Sequence, residues 1–243
     1  MFRVIPAIDI KNSKCVSLVQ GIPGTERVSI SNPLAVALRW VGGGARIIHL
    51  IDLDGAIEGH RSNSAIIESI IRNSRVETQV GGGIRSKKDA QDLLSLGADR
   101  IILGTAAIKQ PSLVKELAEE FGGNRIMVAL DSKNGRVTTH GWAEKSAFTA
   151  VELGRMFEEL GAGSILFTDI NTEGLLEGVN PLPTQELVDA LGIPVIASGG
   201  ITTLSDIELI KETGAKGIVI GAALYVGNFT LNEAMEFEGE LPS

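Results

Sequence analysis

An α/β chain that closes into a (β/α)8, or TIM, barrel is what this sequence predicts. Three observations carry that expectation. The chain has 243 residues, close to the roughly 250 that such a barrel typically uses. Short β-branched runs alternate with longer amphipathic stretches, the order of a parallel sheet whose crossovers are helices. The chain is also written twice. Gly82, Gly97 and Gly104 have counterparts in Gly199, Gly214 and Gly221, each 117 positions further on, within similar surroundings. Two equivalent halves close naturally into a barrel, which argues against an open, doubly wound sheet.

Eight runs read as strands: Phe2–Ile8, Arg46–Asp52, Glu77–Val80, Arg100–Leu103, Ile126–Leu130, Ser164–Asp169, Pro194–Ala197 and Gly217–Ile220. They are near-continuously apolar, as strands covered on both faces should be. The helical periods fall at Pro33–Val41, Ser64–Asn73, Lys87–Leu96, Ser112–Phe121, Thr149–Leu160, Thr184–Leu191, Leu204–Glu212 and Leu231–Phe237. Asn32 before Pro33 is a cap followed by proline at the first helical position. Ser86 and Ser205-Asp206 stand where caps are expected. Gly42, Gly97, Gly122, Gly161, Gly192 and Gly214 supply left-handed helix ends. No linker separates the halves, so residues 1–243 read as a single domain, with half-barrels of about 1–121 and 122–243. The stretch Lys11–Ser31 is too long for a simple turn and reads as the first βα loop, a possible lid.

Composition narrows the function. Hydrophobic residues make up 44% of the chain, and no apolar run reaches the ~18 residues of a membrane span. The N-terminus enters a strand pattern without the features of a signal peptide. One cysteine, Cys15, leaves no internal disulfide. These points favour the cytoplasm. A net charge of −8 opposes nonspecific nucleic-acid binding. The three histidines are far apart, without metal-ligand spacing, so no metal is expected.

Chemistry in such barrels gathers at the C-terminal ends of the strands. Strand one ends in Ala7-Ile8-Asp9 and strand five in Ala129-Leu130-Asp131. Two carboxyls on opposed strands suit general acid–base catalysis. Thr168, at the end of strand six, is either a hydrogen-bond partner for an intermediate or a residue chosen for β-propensity. Gly82-Gly83 and Gly199-Gly200 follow strands three and seven. Gly104-Thr105 and Gly221-Ala222 follow strands four and eight. Glycine lets the backbone approach an anion, and a short helix starting there points N–H groups at it. Two matched sets imply two phosphate sites facing each other across one active site. Arg85, just after the first glycine run, either pairs with a phosphate or makes a surface salt bridge, and the first reading is favoured. Trp142, in the loop after strand five, either stacks on a heterocycle or packs on the rim. Trp40 lies on an apolar helix face and reads as core.

Together these residues resemble the histidine-biosynthesis isomerases that convert the aminoaldose ribotide ProFAR to its aminoketose PRFAR. The resemblance runs over essentially the whole chain. It rests on Ile5-Pro6-Ala7-Ile8-Asp9, Gly81-Gly82-Gly83-Ile84-Arg85, Asp131 with Gly135-Arg136-Val137 and Gly141-Trp142, Thr168-Asp169-Ile170, Ser198-Gly199-Gly200 and Gly221-Ala222. One departure stands out. The family usually reads Asp-Gly-Thr after strand six, where this chain has Glu173-Gly174-Leu175.

The resemblance implies an intramolecular oxidoreductase that performs an Amadori rearrangement between aldose and ketose. It implies Asp131 as general acid at the ribose ring oxygen, Asp9 as general base at C2, and Thr168 as hydrogen-bond support. No cofactor is implied, because an imine serves as electron sink. Barrels of this kind are often monomers. Two alternatives share the residues: an isomerase that also accepts phosphoribosylanthranilate, and a non-catalytic phosphosugar-binding barrel. The related pathway cyclase usually shows Cys-Leu-Asp at strand one and lacks the Gly-Trp loop.

Overall fold

The computed structural model describes residues 1–243 apart from 23, 60, 140–143 and 240–243; at 144–145 it describes the backbone alone. Eight parallel strands form the barrel: β1 (Arg3–Lys11), β4 (Ile47–Asp52), β5 (Glu77–Gly81), β6 (Arg100–Leu103), β7 (Ile126–Lys133), β10 (Ser164–Asp169), β11 (Val195–Ser198) and β12 (Gly217–Ile220). They pair in that order, β12 returns to β1, and β7 pairs with β10. The expected (β/α)8 barrel is therefore closed.

The main outer helices are α1 (Pro33–Gly42), α3 (Ser64–Ser74), α4 (Lys87–Ser95), α6 (Ser112–Phe121), α7 (Ala150–Glu159), α8 (Leu182–Ala190), α9 (Leu204–Glu212) and α11 (Leu231–Met235). Three short helices sit in βα connections: α2 (Leu53–Glu58), α5 (Thr105–Lys109) and α10 (Ala222–Val226). Among the described residues, no helix is long and apolar enough to cross a membrane.

Residue alternation along the strands divides the core in two. Outward side chains such as Ile8, Ile48, Leu103 and Val128 pack against the helices, and Trp40 joins them. Inward side chains Ile5, Ile47, Ile102, Met127, Leu166, Ile196 and Val219 form a separate apolar plug inside the barrel. Both strand faces are thus buried, which is why the strand sequences lack polar alternation.

Local signals hold with some corrections. The Asn32 side chain accepts the Ala35 N–H at 3.1 Å, and Ser86 forms a reciprocal cap with Asp89. The cap of α9 is Thr203, not Ser205; Asp206 is its partner inside the first turn. Gly42 belongs to α1, and the left-handed residue beyond that helix is Gly44. Gly192 is absent from the left-handed positions, because α8 ends on the extended residue Leu191.

Lys11–Ser31 does connect β1 to α1, and it carries two short strands of its own: β1 turns through Asn12 and Ser13 into β2 (Lys14–Ser17), which pairs with β3 (Val28–Ile30). Asn12 and Ser13 have φ of 48° and 62°, the geometry of a two-residue hairpin turn. A second hairpin joins β7 to β8 (Arg136–Thr139), which pairs with β9 (Glu144–Lys145).

Candidate functional site

A cavity of about 780 Å³ opens at the C-terminal ends of the barrel strands. Its floor is the apolar plug. Asp9, Asp131, Thr168, Gly82, Gly83, Arg85, Gly104, Thr105, Gly199, Gly200, Gly221 and Ala222 all line it. Trp142 lies outside the described residues.

Strand geometry explains why these residues converge. Asp9 continues the inward series Ile5, Ala7 on β1, and Asp131 continues Met127, Ala129 on β7. β1 and β7 are separated by three strands in either direction around the barrel, so the two carboxyls stand on opposite walls. Thr168 is the register partner of Asp131 on the neighbouring β10. β6 adjoins β7 and β12 adjoins β1, so each aspartate strand has one of the two matched glycines, Gly104 or Gly221, at the end of its neighbour.

The glycines fall into two kinds. A Cβ on Gly82 would land on the Asp52 backbone, and one on Gly83 would lie 2.8 Å from the Gly55 backbone. Both have positive φ, 95° and 73°. Packing alone requires glycine there. Gly104 differs: a Cβ would meet nothing within 4 Å, and on Gly221 the nearest atom would be Ala7 Cβ at 4.0 Å. Both are N-caps, at φ −102° and −107°, of the short helices α5 and α10, with no side chain bonded to the helix start. Protein packing leaves room for a side chain at these two positions.

Three further side chains line the cavity that the sequence did not place there. Glu173, from the loop after β10, reaches the cavity. Desolvation, and then the charges of Asp9 and Asp131, push its carboxyl up to about 8. Desolvation pushes Asp9 up to about 7. His49 lies beside Ala7 in the β1–β4 register and is driven down to about 4 by burial, so its imidazole is neutral. The side-chain nitrogen of Gln79 is 2.8 Å from His49 Nδ1. Tyr225, on α10, also lines the wall. Glu173 was the one residue with a sequence signal, since it occupies the position where the chain departs from the resemblance.

Arg85 lies against the C-terminal end of α2, where a Cβ on Gly59 would collide with its guanidinium. Behind this wall, Asn63 Nδ2 donates to Asp52 Oδ1 at 2.7 Å and to Asp54 Oδ2 at 2.8 Å. Asp54 Oδ2 also accepts the Asn12 N–H at 2.7 Å. This buried network ties the β1–β2 turn to the end of β4.

Residues 3–230 match the family described as histidine biosynthesis protein. The chain belongs to that family. Among proteins similar to this member of the histidine biosynthesis family, one from Methanosarcina mazei is 60% identical over 97% of both chains. One from Methanococcoides burtonii is 60% identical over 96% of each. One from Methanococcus maripaludis is 52% identical, covering 96% of this chain and 98% of its own. Each of the three is named 1-(5-phosphoribosyl)-5-((5-phosphoribosylamino)methylideneamino)imidazole-4-carboxamide isomerase.

Proposed function

We propose that this member of the family is an isomerase acting on the same aminoaldose, ProFAR, for which its relatives are named, converting it to the aminoketose PRFAR. The observation that carries this reading is the cavity itself, where carboxyls on opposed walls stand beside two matched glycine turns.

The substrate has a phosphate at each end. Gly104-Thr105 and Gly221-Ala222 are the proposed seats, since the backbone there is open to the cavity and heads a short helix. The turns at Gly82-Gly83 and Gly199-Gly200 border them, and Arg85 is the proposed counter-charge. Asp131 is the proposed acid at the ribose ring oxygen. Glu173, raised to about 8 chiefly by desolvation, is the second proposed proton donor. Protonation breaks the C1–O bond and leaves a C1=N Schiff base. Asp9, ionised above about 7, then takes the proton from C2. The electron pair left behind forms C1=C2 while the imine electrons move to nitrogen. The enolamine ketonises as C1 gains a proton and the C2 hydroxyl loses one. Thr168 supports the intermediate by hydrogen bonding. No cofactor enters this scheme, and the reading keeps the chain in the cytoplasm.

The test is to incubate the protein with ProFAR and, separately, with phosphoribosylanthranilate, and follow both by NMR. Conversion of ProFAR is expected. Conversion of both would make it the dual-substrate isomerase, and conversion of neither would leave a phosphosugar-binding barrel.

A further inference from the structure

Alternate residues of a parallel strand direct their N–H and C=O to the same neighbour. On β1 the Arg3 N–H donates to Lys216 O at 3.1 Å, so Arg3, Ile5, Ala7 and Asp9 present their polar backbone groups to the β12 side. The β12 ladder stops at the pair Pro6–Ile220, where the chain turns at Gly221 into α10. The β2 ladder takes over only at the pair Asp9–Val16. Between the two ladders, the Ala7 carbonyl has no strand partner.

Tyr225 fills that gap. Its hydroxyl donates to Ala7 O at 2.7 Å. Cys15 Sγ lies 3.1 Å from the same hydroxyl. The phenol has one proton and spends it on Ala7, so the thiol is the donor to the phenol oxygen. Trp40 holds the ring edge-on, with centroids 5.5 Å apart and planes at 75°. Burial raises the tyrosine well above its ordinary value and the thiol to about 11, so both keep their protons. A side chain of α10 thus stands in for a strand, two residues before Asp9.

We propose that Tyr225 is a positioning residue for Asp9: its hydroxyl closes the gap between the two ladders of β1 and fixes the Ala7–Asp9 stretch that aims the carboxylate. The proposal rests on the reading of Asp9 as general base. Removing the hydroxyl leaves a buried carbonyl unpaired, which draws in water and loosens the strand at the point that sets the carboxylate's direction. Misplacement of a reacting group by about 1 Å costs on the order of a hundredfold. The groups facing Asp9 in this corner are Cys15 of β2, Tyr225 of α10 and Glu173 of the loop after β10, with Arg39 of α1 acting on Cys15.

Tyr225→Phe keeps the ring and removes the donor. Two readouts decide the matter: the 13C titration of the Asp9 carboxyl, assigned with Asp9→Asn, and kcat and KM for ProFAR. The expected result is an Asp9 midpoint lowered by roughly half a pH unit or more as water enters, with kcat down about ten- to a hundredfold and KM within about twofold. A wild-type titration with wild-type kcat would overturn the proposal. So would a raised KM at unchanged kcat, which would assign the hydroxyl to ligand binding. Thermal unfolding accompanies both readouts, and a kcat loss that vanishes when both proteins are assayed well below their melting temperatures also overturns it. If the wild-type protein turns over no aminoaldose, the proposed activity fails, and the Asp9 titration still decides the role of Tyr225.

Discussion

Asp131 and Thr168 are register partners on the adjacent parallel strands β7 and β10, and both line the cavity. A hydroxyl beside a carboxyl at a strand end is worth a hydrogen bond to any charge that develops there. Thr168→Val preserves the shape and removes that donor. We expect kcat to fall about tenfold, the equivalent of one hydrogen bond of ~1.4 kcal/mol, and Thr168→Ser to retain most activity. Wild-type turnover by the valine variant would mean that the threonine serves only strand propensity.

The pH profile should be bell-shaped. Asp9 must be ionised to act as base, so the rate rises through about 7. Glu173 must be protonated to give a proton, so the rate falls through about 8. Glu173→Gln is expected to abolish the falling limb and lower kcat by about 10²-fold or more. An unchanged alkaline limb in that variant would return the acid role to Asp131 alone.

The same raised carboxyls weaken the fold at neutral pH. Each binds its proton more tightly in the folded chain than in the unfolded one. The contribution of these two groups to stability is therefore full at low pH and declines as pH rises from the ordinary carboxylate range through about 7 for Asp9. Asp9→Asn should melt higher than wild type at pH 8 while losing about 10²–10⁴-fold in turnover. A lower melting temperature would contradict the desolvated state of Asp9.

Gly82 and Gly104 predict opposite outcomes for the same substitution. Gly82→Ala meets the Asp52 backbone at φ 95°, and should cost more than about 2 kcal/mol in denaturant unfolding. Gly104→Ala meets open space and should cost less stability than Gly82→Ala. Its methyl would instead occupy the approach of a phosphate, so KM for ProFAR should rise about tenfold. An unchanged KM would remove Gly104 from the binding site.

Asn63→Ala strips the buried carboxylates Asp52 and Asp54 of a shared donor. Unfolding should then be easier by about 2 kcal/mol. The loss should be measurable by urea denaturation at pH 7.

Much of this architecture was legible in the sequence because it depends on local pattern. The strands Arg100–Leu103, Ser164–Asp169 and Gly217–Ile220 have the bounds that their apolar runs predict. Every described residue expected in the site does line the cavity. The misses have physical causes. The hairpin at Asn134-Gly135 carries the strongest short turn signal available, both residues at positive φ, but it follows a buried strand whose apolar run ends at Leu130. The hairpin of β2 and β3 is short and packed against neighbours, so tertiary contacts outweigh its weak alternation. Glu173, His49 and Tyr225 reach the cavity from a loop, a lower strand layer and a helix. Spacing along the chain gives no measure of such convergence.

The apolar plug beneath the carboxyls has a consequence for traffic. Ile5, Ile47, Ile102, Met127, Leu166 and Ile196 stopper the barrel below the cavity, so what enters at the mouth must leave by the mouth. Substrate and product then share one doorway and queue for it. A spent molecule that lingers therefore keeps the next one waiting outside.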